Sequence, residues 1–384
     1  MKVARRSGIA PFYVMEVMKA AARRAAAGGD VLHLEVGQPS TPAPGAVIEG
    51  AKRALHASRL GYTDAHGVPE LRDRISHHYE ERYGETVDVE RIAVTVGASG
   101  GFVLAVLAAF DPGDRVAMTS PGYSAYRNIL TALGIDVVEV PVGPATRFNP
   151  TSELLEELLP LDGLVTASPS NPTGTILTTP EQANLAAFSE ANDVRMIADE
   201  IYHGITYGDE PAPTAISHND HAVVVQSFSK YFSMTGWRLG WLVLPEDLIR
   251  PVERLAQNLF ISPPTLSQLA AVAAFDCAAE LDANVRRYAE NRRILIEGLA
   301  GAGIEKIAPA DGAFYIYADV SHLTDDSQAL SREWLDDIGV AATSGIDFDP
   351  TLGHRFIRFS YAESTEDITE AAERLVSWAA THRP

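Results

Sequence analysis

The sequence predicts an α/β fold: a mostly parallel sheet with helices on both faces, joined to a smaller second αβ layer. Two observations carry this. Between residues 92 and 225, short β-branched runs alternate with helical segments, and Gly, Pro and Asp clusters punctuate each change. After a long helical stretch at 281–301, a second strand–helix alternation runs towards the C-terminus.

In order, residues 12–27 read as an amphipathic helix that stops at Gly28-Gly29. A strand at 31–36 leads into the breaker cluster Gly37-Gln38-Pro39. Helices follow at 45–57 and 69–83, the second with Pro69 in its first turn, where a missing N–H does no harm. Between them lies the polar turn Gly61-Tyr62-Thr63-Asp64.

Strand 92–96 meets Gly97-Ala98-Ser99-Gly100-Gly101, then a helix at 102–110. Strands at 115–119, 136–140, 163–167, 194–198 and 222–225 alternate with helices at 124–133, 151–158 and 180–192, and a further apolar run covers 241–244. Helical sequence extends from Pro263-Pro264 to residue 278 and again over 281–301. The second layer comprises strand 312–318, helix 328–338, strand 354–360 and helix 368–381. The expected division is a large domain at 41–280 and a small domain formed by 1–40 with 281–384.

Composition sets the boundaries. The chain has 384 residues, 46% hydrophobic and 21% charged, as in ordinary globular proteins. A net charge of −20 disfavours a nucleic-acid backbone as partner. The lone Cys277 permits no intrachain disulfide, reads as a core thiol, and leaves no metal-ligand spacing. No run approaches the ~18 apolar residues of a membrane helix, so no membrane association is expected and the address expected is cytoplasmic.

Ligands of open α/β sheets sit beyond the carboxyl ends of the strands. Gly97, Ala98 and Ser99, Asn171, Asp199, and the stretch from Ser227 to Lys230 all fall at that end. Lys230 is one of only five lysines, set between two apolar runs, where an unpartnered charge is costly. It reads as a solvated loop lysine or as a Schiff-base lysine, with Ser227, Ser229 and Arg238 around a phosphate. Asp199 is either a helix N-cap or a buried carboxylate holding a pyridinium proton. Tyr202 and Asn171 could bond the ring oxygen of such a cofactor, and Tyr123 could stack on its face or be a core aromatic. Arg358, within the run Phe356-Ile357-Arg358-Phe359-Ser360, suits a carboxylate clamp or an edge-strand cation. No Walker lysine and no dinucleotide glycine pattern is present.

Taken together, these motifs resemble the class I/II pyridoxal-phosphate-dependent aminotransferases. The matching elements are Tyr62-Thr63 with Gly67 and Glu70-Leu71-Arg72, then Asn171-Pro172-Thr173-Gly174 and Asp199-Glu200-Ile201-Tyr202. Ser227-Phe228-Ser229-Lys230, Gly236-Trp237-Arg238-Leu239-Gly240 and Arg358 complete them. The resemblance covers nearly the whole chain. It implies fold type I of the aspartate aminotransferase superfamily, with a seven-stranded sheet in the large domain and pyridoxal 5'-phosphate as cofactor.

The resemblance also implies roles. Lys230 would hold the cofactor covalently and shuttle the proton. Asp199 would pair with the ring nitrogen, Tyr202 and Asn171 with the ring oxygen, and Tyr123 with the ring face. Ala98, Ser99, Ser227 and Arg238 would bind the phosphate, with Gly97 in the same turn and Ser229 beside it. Arg358, the Gly37 backbone and the Asn171 amide would take the substrate carboxylate. Tyr62 would reach the phosphate of the neighbouring subunit in a homodimer with shared sites. The implied reaction is ping-pong transfer of an α-amino group from an L-amino acid to a 2-oxo acid.

Gln257, Asn258 and Ser99 stand where some dicarboxylate-specific relatives carry basic residues, and Phe12, Tyr13, Phe260 and Ile261 could line an apolar pocket. The expectation is therefore a neutral donor: alanine, a branched-chain or an aromatic amino acid. Aspartate with 2-oxoglutarate, and a β C–S lyase on the same scaffold, are the alternatives.

Overall fold

A computed structural model describes residues 1–208 and 211–382. Its strands, in chain order, are β1 Leu32–His33, β2 Ile92–Thr95, β3 Arg115–Ser120, β4 Asp136–Pro141, β5 Gly163–Ala167 and β6 Arg195–Asp199. They continue with β7 Val223–Ser227, β8 Gly240–Val243, β9 Tyr315–Asp319, β10 Val340–Ala341, β11 Thr343–Ser344 and β12 Phe356–Ser360.

Seven of these form the main sheet, in the order β2-β8-β7-β6-β5-β3-β4. Only β8 runs against its neighbours. The rest lie parallel because helices carry the chain back across the faces. β2, β7 and β8 are buried along their whole length. That explains their continuous apolar composition, since both faces are covered. Burying Val223, Val224 and Val225 contributes about 1.5–3 kcal/mol each.

Register places the functional end of the sheet. Ala167 lies opposite Asp199, and Asp199 opposite Val225. The carboxyl ends of β5, β6 and β7 are thus level, and the loops carrying Asn171, Asp199 and Lys230 leave from one edge.

A three-stranded sheet, β11-β12-β9, and the pair β1-β10 form the second layer. Helix Ala278–Gly301 packs against the closing helix Thr365–His382. Cys277 is buried. No described helix is long and apolar enough to cross a membrane.

Three local expectations change. The strand at 31–36 shortens to Leu32–His33, because the ladder with β10 ends there and the chain turns towards Gly37. The glycine run at 97–101 is itself the first turn of helix Gly97–Ala109, rather than a loop before it. A helix at Glu246–Leu259 has no counterpart in the expected elements; Pro251 inside it hides the helical pattern.

Candidate active site

Asp199 ends β6 with both carboxylate oxygens occupied. The Tyr126 hydroxyl donates to Oδ2, and the Ile201 N–H donates to Oδ1 at 2.9 Å. Burial pushes this carboxyl up to about 6, against both donors and the Lys230 charge, which favour its ionised form.

Lys230 follows β7. Its Nζ donates to Gly37 O at 2.5 Å and lies 5.6 Å from the Tyr202 ring centre. Burial and then the Arg358 charge bring it down to about 8, with Asp199 pulling the other way. A lysine so placed is a ready nucleophile and base near neutrality.

A second corner is built for an anion. Helix Gly97–Ala109 begins without a side-chain cap, since its N-cap is Val96. Its first-turn N–H groups therefore have no intrahelical partners. Gly97 has φ +68°, and a Cβ there would lie 2.5 Å from Arg238 Nη2. Glycine is what lets the guanidinium approach the helix end. Arg238 Nη1 donates to Thr235 O at 2.9 Å. Ser227 Oγ accepts the Ser229 N–H at 3.0 Å, and Thr235 Oγ1 donates to Ser229 O at 2.9 Å, fixing the turn that leads to Lys230.

Arg358 comes from the other layer, on β12, and is only 2% exposed. Its guanidinium lies between the rings of Tyr315 at 4.5 Å and Phe348 at 4.8 Å. Nη1 donates to Asn171 Oδ1 at 3.0 Å and Nη2 to Glu35 O at 2.5 Å, while Nε is buried without a partner. Among the described residues it forms no ion pair. Tyr202 and Tyr315 join hydroxyls at 2.6 Å. A Cβ on Gly37 would fall 1.9 Å from the Tyr315 oxygen, so glycine alone fits there.

These groups surround one cavity of about 320 Å³. Of the expected residues, Gly37, Ala98, Ser99, Tyr123, Asn171, Asp199, Tyr202, Ser227, Ser229, Lys230, Arg238 and Arg358 all line it. Gly97 sits just behind, against Arg238. Tyr62 does not join them; it is 83% exposed on the surface. A larger open hollow of about 1140 Å³ lies at the opposite end of the sheet, where Arg91 pairs with Asp220 and Arg195 with Asp247.

The apolar wall differs from expectation. Phe12 lines the cavity, but Tyr13, Phe260 and Ile261 do not. Spacing explains the first: Phe12, Met15 and Met18 recur every three residues on one side of the N-terminal helix, and Tyr13 is turned off that side. Phe260 instead packs with the core beside Gly100, and Ile261 is 51% exposed. Val14, Ala125 and Ile129 complete the wall. Sequence reasoning missed these, and also Tyr126, Thr235 and Tyr315. The three-residue spacing of Phe12, Met15 and Met18 was the available signal.

Residues 29–375 match the model of the family described as aminotransferase class I and II. The chain belongs to that family. It is 53% identical over 381 residues to the valine–pyruvate aminotransferase of Mycobacterium tuberculosis, covering 98% of each chain. A crystal structure of an aminotransferase from the same organism superposes with a TM-score of 0.98 at 52% identity, over 99% of this chain and 100% of that one. The aspartate aminotransferase of Thermus thermophilus with maleate superposes at 0.93 with 30% identity, over 98% and 99%. This aminotransferase thus has the fold type I architecture and moves an amino group from an amino acid to a 2-oxo acid. Aminotransferases of this kind use pyridoxal phosphate.

Proposed function

We propose that pyridoxal phosphate occupies the cavity and that the amino donor is a neutral amino acid, with a 2-oxo acid as acceptor. Three features fit the cofactor. The uncapped helix start and Arg238 make a cradle that a Cβ on Gly97 would fill. Asp199 offers a buried carboxylate for a ring nitrogen. Lys230 is a depressed amine at the centre. Gly97, Ala98, Ser99, Ser227, Ser229 and Arg238 would hold the phosphate, Asn171 and Tyr202 the ring oxygen, and Tyr123 the ring face.

When bound, the cofactor supplies an electron sink for the bond broken at the donor's Cα. Arg358 receives the donor carboxylate through its planar fork, helped by Asn171 and the Gly37 backbone. Tyr315 and Phe348 keep that fork in plane and dry. Lys230 Nζ takes the Cα proton and returns it later in the cycle; its lowered pKa suits both tasks. Asp199, held by Tyr126, keeps negative charge at the far end of the site.

The observation that carries the donor class is the cavity's make-up. Its side-chain wall is Phe12, Val14, Met15, Met18, Ala125 and Ile129, and its described cations are Lys230, Arg238 and Arg358, each already engaged. Among the described residues of this chain, the lining offers no further cation for a second carboxylate. The name of the 53%-identical relative supports a branched-chain donor within this class.

The two layers correspond, in this reading, to a large domain at 41–280 and a small one of 1–40 with 281–384, the site lying between them. Two chains form a homodimer, with Tyr62 serving the partner's phosphate. A single-turnover screen tests the donor. Holoenzyme mixed with valine, alanine, phenylalanine or aspartate should lose its visible absorbance faster with the neutral donors. Aspartate as the fastest donor would overturn the reading.

A further inference from the structure

Asp347 stands where the parts of the substrate site meet. It ends the short turn Gly345–Asp347 and is only 2% exposed. Its Oδ1 accepts the Tyr13 N–H at 3.2 Å, and Oδ2 accepts the Val14 N–H at 3.1 Å. These are the first residues of helix Tyr13–Ala26, whose own N-cap, Phe12, supplies no side-chain acceptor. A carboxylate more than 330 residues away therefore does the work of the missing cap.

The same turn reaches the carboxylate clamp. Phe348, the next residue, underlies the Arg358 guanidinium at 4.8 Å. The Phe348 carbonyl accepts the Gly122 N–H at 3.0 Å, just before Tyr123. Two adjacent residues thus fix both the group that would grip the donor's carboxylate and the helix that would face its side chain.

We propose that Asp347 is a specificity-determining positioning residue: by capping the N-terminal helix it sets how far the apolar wall stands from Arg358. The inference rests on the neutral-donor reading. Phe12, Met15 and Met18 project from the capped helix into the cavity. Methionine is unbranched and adapts its shape, so the wall's selectivity depends on where the backbone holds it. A donor with a bulky apolar side chain meets that wall, whereas alanine's single methyl group makes far less contact.

The test compares holoenzymes of wild type, Asp347→Asn and Asp347→Ala with valine and alanine as donors. Asp347→Ala should lower kcat/KM for valine roughly tenfold more than for alanine, chiefly through KM, and Asp347→Asn should fall between. Amide hydrogen exchange over residues 13–18 should quicken in the same order. A second variant reaches the contact from the other side. Tyr13→Pro deletes one N–H at the first helical position, where proline is tolerated, and should give a smaller shift in the same direction. Equal losses for valine and alanine would overturn the inference, as would unchanged exchange at residues 13–18 in Asp347→Ala. If wild type prefers aspartate, the donor reading fails instead, and the exchange measurement alone decides whether Asp347 holds the helix.

Discussion

Lys230 is held at about 8 by burial and by the Arg358 charge. A depressed lysine is neutral, and so nucleophilic, over more of the neutral range. The rate at which apoenzyme takes up pyridoxal phosphate should therefore rise with pH and level off above about 8. A rate still climbing towards pH 10 would show that the amine is unshifted. Glu200, next to Asp199 in sequence, gives a second prediction. It is buried, accepts from the Ala215 N–H at 2.7 Å and Thr214 Oγ1 at 3.1 Å, and is pushed by burial from 4.5 to about 8. Its neighbour His203 is kept neutral, pushed by burial down to about 3. A carboxyl raised in the folded state adds stability that is complete below its unfolded pKa and lost as pH rises through the folded value. Between about pH 7 and 8, with the buried histidines uncharged, wild-type apoenzyme should lose about 1 kcal/mol more than Glu200→Gln, because the carboxyl is already partly ionised as pH nears 8. Thermal melts at the two pH values check this; parallel slopes would mean Glu200 is already ionised.

At the scale of elements, the chain announces its parallel strands but hides the contacts made between distant segments. Asp199, Ser227 and Lys230 were legible because the first two end apolar strands and the third follows closely, and such strand ends share an edge. Tyr126 was not, because only the tertiary fold brings its hydroxyl, on helix Ser124–Leu133, to Asp199 at the end of β6. Phe12 was legible as a wall residue, but Met15 and Met18 were not, since their helix is placed by Asp347 from the far end of the chain. Gly97 was legible as a turn residue, yet its role depends on Arg238, over 100 residues on. That role predicts the effect of Gly97→Ala. The new Cβ would lie 2.5 Å from Arg238 Nη2 in a backbone conformation that L-residues avoid. The side chain of Arg238 should move out of the cradle and affinity for pyridoxal phosphate should fall roughly tenfold or more. Equilibrium dialysis of the apoenzyme measures it, and an unchanged affinity would remove Arg238 from the phosphate site.

At the scale of the molecule, Tyr62, expected at a phosphate, stands apart from the cavity. It is 83% exposed, and apolar side chains at Ile48, Leu55, Leu259 and Ile261 are exposed as well. Segments 61–63 and 262–265 adjoin, through Thr265 Oγ1 on Gly61 O at 2.6 Å and the Thr63 N–H on Ser262 Oγ at 3.4 Å. Exposed apolar groups gathered this way suit a subunit interface. If Tyr62 serves the partner's phosphate, defects in Tyr62 and Lys230 should complement each other. In a hybrid of a Lys230→Ala chain with a Tyr62→Phe chain, one site combines both defects and the other has neither. Refolding the two variants together, with pyridoxal phosphate kept limiting, should therefore yield more activity than the average of the two parents refolded alone. A tyrosine acting within its own subunit would leave each chain with one defect in its own site, and the mixture would give only that average. The same outcome would follow if the chain were a monomer, so sedimentation of the mixture separates the two failures.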